Sequence, residues 1–185
     1  MHQAIWLLVE TLSSLLATAC LLRAYMNRIG LGARNPIGQF ILAITDWLVQ
    51  PIRRLLPARG RIDWASIAAG FIIALLLALL FLVLFAGGRM SPVAVVLLAV
   101  FWLIKWSLWL LMALVIIQAV LSWVNPHAPI APAIAALTHP FLAPIRRIVP
   151  LIGGVDLSPL VLILLVQFVL TALQSLLPGL RAFAA

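Results

Sequence analysis

Thr138-His139-Pro140-Phe141-Leu142-Ala143-Pro144-Ile145-Arg146-Arg147-Ile148-Val149-Pro150, continuing through Gly153-Gly154-Val155-Asp156-Leu157-Ser158-Pro159, stands out from an otherwise greasy chain. Moved back 93 positions without a gap, it falls on Thr45-Asp46-Trp47-Leu48-Val49-Gln50-Pro51-Ile52-Arg53-Arg54-Leu55-Leu56-Pro57, then Gly60-Arg61-Ile62-Asp63. Thr, Pro, Ile, Arg, Arg, Pro, Gly and Asp recur in order. A repeat of this length in sequence predicts a repeated structural unit. The expected division is 1–92 and 93–185, each unit with two spans and one interfacial segment.

Outside these stretches the chain reads as bilayer material. Of its 185 residues 66% are hydrophobic and 9% charged, too few polar groups to face water on all sides. Apolar runs of spanning length, about 17–25 residues, recur. The net charge of +8 sits in loops between apolar runs, as in chains whose orientation is set by basic loops, so a direct nucleic-acid partner is not expected. The expected partners are the bilayer, anionic headgroups, and a membrane or cytosolic protein. Cys20 is the single cysteine, which leaves no intrachain disulfide and no cysteine cluster for a metal. Met1-His2-Gln3 lacks the basic start of a cleaved signal, so the first helix is expected to remain attached.

In chain order, Ile5 to Tyr25 is a first span, closed by Arg23 and Arg28, with Glu10, Ser14 and Thr18 on one face. Ile37, Ile41, Ile44, Leu48, Ile52 and Leu55 then form an apolar stripe of helical period, interrupted too often by polar residues to cross. That pattern predicts a helix lying along the surface. Residues 62–86 span, with Asp63 at the positive end of the helix, and Gly87-Gly88-Arg89-Met90-Ser91-Pro92 is a turn. Residues 93–125 exceed one crossing. Trp102, Lys105, Trp106 and Trp109 predict an interfacial start, with the core crossed from Trp106 to Trp123. Ile130, Ile134, Leu137, Phe141, Ile145 and Ile148 repeat the surface stripe, and Pro140 and Pro144 predict a break at His139. Ser158 as N-cap, followed by the helix-opening Pro159, is expected to start a last span from Leu157 to Leu177, before Pro178-Gly179.

The fold class is therefore an all-α membrane protein with four transmembrane helices in two parallel repeats, each with an amphipathic interfacial segment carrying Pro-Ile-Arg-Arg. Arg28, Arg34, Arg53, Arg54, Arg59, Arg61, Arg146 and Arg147 outweigh Arg89 on the opposite face. The Arg-Arg loops are thus expected in the cytoplasm and both termini outside.

Thr138-x-Pro140-x-Leu142-x-Pro144-Ile145-Arg146-Arg147-x-x-Pro150 and Gly153-Gly154-x-Asp156-Leu157-Ser158-Pro159 resemble the signature of the YggT family, also called YlmG, from Thr11 to Leu177. The resemblance implies a multi-pass bacterial inner-membrane protein without enzymatic activity, linked to osmotic or extracytoplasmic stress, ion uptake and cell-division gene neighbourhoods. It also implies a kinship with chloroplast proteins linked to cytochrome-complex assembly and nucleoid distribution. The first copy departs from the signature at Trp47, Arg59-Gly60-Arg61 and Ala65-Ser66.

No nucleophile, base and oxyanion donors converge in the sequence, and His2, His127 and His139 lie far apart, so neither catalysis nor a cofactor or metal is expected. Arg53, Arg54, Arg146 and Arg147 are candidates for contact with headgroups or a protein partner, held short and stiff by flanking prolines. Asp63 and Asp156 are expected to pair with these arginines, since the separation is the same in both copies. Gln167, Thr171 and Gln174 form a polar stripe at i, i+4 and i+7. With Gln118, it suggests interhelical hydrogen bonding or, alternatively, a path for an ion. Aligning Arg23 on Gln118 places Glu10 level with Lys105, two charges that would relieve each other as a pair or else reach water separately.

Overall fold

The structure, a computed structural model, describes residues 2–32, 35–57, 60–85, 91–149 and 156–176. The expected features at Arg34, Arg59, residues 86–90, Gly153-Gly154 and Pro178-Gly179 lie outside the described residues. The regular structure within them is six helices: α1 (His2–Ile29), α2 (Pro36–Leu55), α3 (Trp64–Phe85), α4 (Pro92–Val124), α5 (Ala131–Arg146) and α6 (Ser158–Ser175). Helices α1 (from Ala4), α3, α4 and α6 are long and apolar enough to cross a membrane. With α2 and α5 amphipathic and not among the candidate spans, this is the expected all-helical, four-span class.

Local chemistry sets the helix ends. At the close of α1, Gly30 adopts φ +75° while the Leu31 N–H reaches back to Met26 O at 2.9 Å, a turn that only glycine enters without strain. Asn35 opens α2 by accepting from the Gly38 N–H at 2.8 Å, with Pro36 as the first helical residue, and Ser91-Pro92 repeats the device at α4. Asp63 accepts from both the backbone N–H (3.3 Å) and the hydroxyl (2.9 Å) of Ser66 at the start of α3.

Helices α1 and α3 pack most closely. Ala17, Ala65, Ala69, Ala74 and Ala78 are fully buried, and a Cβ added at Gly70 would lie 3.6 Å from Ala17 O. Small side chains let two backbones approach where no hydrophobic drive operates in lipid. At the end of the bundle away from the Arg-Arg segments, Trp6, Phe81, Phe85 and Trp102 form an aromatic cluster with centroids 5.2–6.2 Å apart. Tyr25 at the end of α1 donates to Leu137 O of α5 at 2.8 Å, so α5 shares the end of the bundle that α2 occupies.

The 33 residues of α4 extend about 50 Å, beyond the ~30 Å hydrocarbon core, as expected of a stretch longer than one crossing. Three expectations are corrected. Trp102 and Trp106 are buried in the bundle among side chains of α1 and α3. Helix α5 does not break at His139. Pro140 and Pro144 lie on its exposed side, where freed carbonyls meet solvent or headgroups, and the Thr138 hydroxyl donates to Ile134 O at 3.0 Å. Ser158 is the first residue of α6 and not its cap; the cap position is Leu157.

The buried face of α2 is also rotated from the expected stripe. Gly38, Ile41, Thr45 and Val49 turn inward, while Phe40, Trp47 and Leu55 are exposed. The inward residues of α5 include Ile134, Thr138 and Leu142, each 93 positions beyond Ile41, Thr45 and Val49.

Candidate functional site

At the shared end of the bundle, α1, α2 and the start of α3 converge on a cluster of charges. Arg23 is only 6% exposed, and Asp63 3%. A charge so far from water survives only if paired and hydrogen-bonded. Arg23 Nη1 donates to Thr45 Oγ1 at 2.9 Å and to Asp46 Oδ1 at 2.7 Å, and its Nε stands 3.8 Å from Asp63 Oδ2. Arg53, in the last turn of α2, donates from Nη2 to that same Asp63 oxygen. Two guanidinium groups and two carboxylates therefore balance, tying α1, α2 and α3 together.

In the second half, Arg146 Nε donates to Asp156 Oδ2 at 2.8 Å and the Ser158 N–H donates to Asp156 Oδ1 at 2.9 Å. Ten residues separate arginine from aspartate in both halves. Burial alone would raise the Asp156 carboxyl, but hydrogen bonds from Ser158 and Arg146 and the guanidinium charge outweigh it and hold the group below the ordinary 3.8. No guanidinium comes from α4. Gln118, the α4 residue that aligns with Arg23, has its Oε1 buried without a hydrogen-bond partner.

Successive helical residues point about 100° apart, so the two members of each Arg-Arg pair diverge. Arg53 and Arg146 turn to their aspartates, whereas Arg54 and Arg147 are exposed. Neither exposed arginine has an ion pair among the described residues.

The other singled-out residues fall elsewhere. Lys105 Nζ lies 3.7 Å from Glu10 Oε1, toward the aromatic end, and joins α4 to α1. The stripe of α6 faces outward: Gln167, Thr171 and Gln174 are all exposed. Thr171 donates to Gln167 O of its own helix at 2.9 Å, and neither glutamine side chain bonds to another described residue. Interhelical hydrogen bonding within the chain is thus not what this stripe does. Gln167 and Gln118 instead line a cavity of about 580 Å³ between α4 and α6, whose wall includes Arg146 and Asp156. Thr45, Asp46 and Ser66 belong to the charge cluster but were not among the expected site residues. The signal for Thr45 was available: it coincides with Thr138 at the start of the duplicated stretch.

Comparison with known proteins agrees with this architecture. The CCB3/YggT family model matches residues 2–84 and again 97–177. The chain is 37% identical over 163 residues to the proC 3′-region protein of Vibrio alginolyticus, covering 87% of this chain and 88% of that one. It is 34% identical over 170 residues to the protein named YggT in Escherichia coli K12, covering 88% and 85%. To a Haemophilus influenzae protein it is 30% identical over 184 residues, 96% of each. No solved structure matches the chain. With both halves of the chain matched and relatives similar along nearly its full length, the chain belongs to the CCB3/YggT family.

Proposed function

We propose that this chain is a non-enzymatic, multi-pass scaffold or assembly factor of the bacterial inner membrane. It is built from two parallel repeats and presents its Arg-Arg segments to the cytoplasm in support of membrane-complex biogenesis or of tolerance to osmotic and extracytoplasmic stress. One observation carries this reading. In each pair the first arginine is bonded to an aspartate while the second, at the end of its helix, is exposed and without an ion pair among the described residues. Setting the orientation of the chain needs only charge, and would not require one arginine to be anchored so that its neighbour is aimed outward. An exposed guanidinium with no partner of its own among the described residues suits recognition of an acidic partner surface.

The alternative, a component of potassium-linked transport, would need Gln167, Thr171 and Gln174 to line a passage. Only Gln167 borders the cavity between α4 and α6, while Thr171 and Gln174 are exposed outside it, so the three do not share one lining, and the scaffold is the better-supported reading.

A photo-crosslinking residue at position 147 in intact membranes, followed by mass spectrometry of the adducts, tests it. The expected result is a recurrent protein adduct that disappears, together with survival of osmotic shock, in the Arg54→Glu/Arg147→Glu variant at normal protein level. Adducts with lipid alone, or unchanged survival in that variant, would overturn the scaffold. Leucine at 167, 171 and 174 should leave potassium uptake unchanged.

A further inference from the structure

The two halves of the bundle differ at one helix contact. In the first, Gly70 of α3 lets α1 come within van der Waals reach of the backbone, and Arg23 fills the level above. In the second, the position 93 residues beyond Gly70 is Ile163, and the residue that aligns with Arg23 is Gln118. The β-branched Ile163 lines a cavity of about 580 Å³ between α4 and α6. This volume lies within the roughly 300–1,000 Å³ usual for small-molecule sites.

At the Arg-Arg end of the cavity stands Arg146, whose Nε is engaged by Asp156 while its two Nη groups have no acceptor among the described residues. Further in, Gln118, whose Oε1 has no hydrogen-bond partner, and Gln167 share the wall with the apolar Ile163 and Leu164. Leu164 and Leu160 are both exposed on the outer side of α6, so the cavity opens sideways to acyl chains. A buried amide oxygen without a partner costs about 1–3 kcal/mol, which a bound donor would relieve.

We propose that this cavity holds one glycerophospholipid, with its phosphate on the Arg146 guanidinium, a polar group of its headgroup or glycerol on Gln118, and an acyl chain running past Ile163 and Leu164. The planar guanidinium matches phosphate oxygens in geometry as well as charge. The lipid completes in the second half the packing that Arg23 and Gly70 complete in the first. The site uses Arg146 and leaves the outward Arg147 free, so it stands or falls separately from the scaffold.

The protein released into a mild detergent and examined by native mass spectrometry should carry one tightly retained phospholipid per chain. Arg146→Gln, which removes the guanidinium from the phosphate, should lower that retention about tenfold or more, the worth of one charge-assisted hydrogen bond. Leu164→Trp, which fills the cavity from the bilayer side, should do the same and serves if the first variant does not fold. Arg54→Gln should leave retention unchanged. After delipidation, phosphatidylglycerol micelles should raise the melting temperature, whereas millimolar inorganic phosphate should not. Equal lipid retention in wild type and both cavity variants would overturn the proposal, as would a phosphate effect equal to that of the lipid, which would mark a free-phosphate site.

Discussion

Arg23 shows how one residue can bind three helices. Removing one partner from a buried ion pair strands the others, at about 3–5 kcal/mol, so Arg23→Gln should lower the melting temperature in detergent far more than Arg54→Gln at an exposed position. Equal shifts would mean that the buried network adds nothing. Asp156 gives a prediction in pH. Its carboxyl is held below the ordinary 3.8, so the folded state binds its proton less readily than the unfolded chain does. The stabilisation is full well above 3.8 and fades as pH falls through that value and below it. The melting-temperature gap between wild type and Asp156→Asn should therefore be constant near neutrality and close only in acid. The aspartates were legible because their distance from Arg-Arg is the same in both copies. The role of Thr45 was not: a threonine on an apolar stripe looks like an interruption, and only its hydrogen bonds to Arg23 and to Ile41 O (2.6 Å) show why it faces inward.

Among the elements, α3 shows how closely helix spacing depends on one side chain. Gly70 has room for a methyl group, with its nearest neighbours at 3.6 Å or more, but not for a branched chain. Gly70→Ala should be nearly neutral, while Gly70→Ile should overpack the contact and cost about 1–3 kcal/mol; similar melting temperatures for the two would contradict the packing described. The continuity of α5 could not be read from its prolines. A proline removes a donor and crowds the preceding turn, yet the cost depends on whether the freed carbonyl faces water or a dry core, which sequence alone does not say. The tryptophans of α4 misled for a related reason: the same residue serves as interfacial anchor or as filling between helices, and only the neighbouring aromatic rings distinguish the two.

For the molecule as a whole, hydropathy was enough to specify an all-helical chain with four spans, because unbroken apolar runs of spanning length satisfy their backbone groups as helices, whereas the strands of a barrel would alternate. Orientation is a separate prediction. A cytoplasm-dependent reporter fused after Ala185 should be silent, and one inserted near Arg59 active; the reverse pattern would invert the bundle. The contact between Glu10 and Lys105 joins the halves at the other end. Glu10→Lys and Lys105→Glu should each lower the amount of protein in the membrane and the double exchange restore it, while no restoration would leave the two charges independent. The Arg23 cluster also carries a consequence for biogenesis. Synthesis runs from the N-terminus, so Arg23 leaves the ribosome before Asp46 and well before Asp63. Until α2 brings Asp46, α1 holds an uncompensated cation close to its end, which must stay among headgroups. The full cluster closes only when Asp63 follows, and a chain truncated before residue 46 should enter the membrane with its first helix still free to slide.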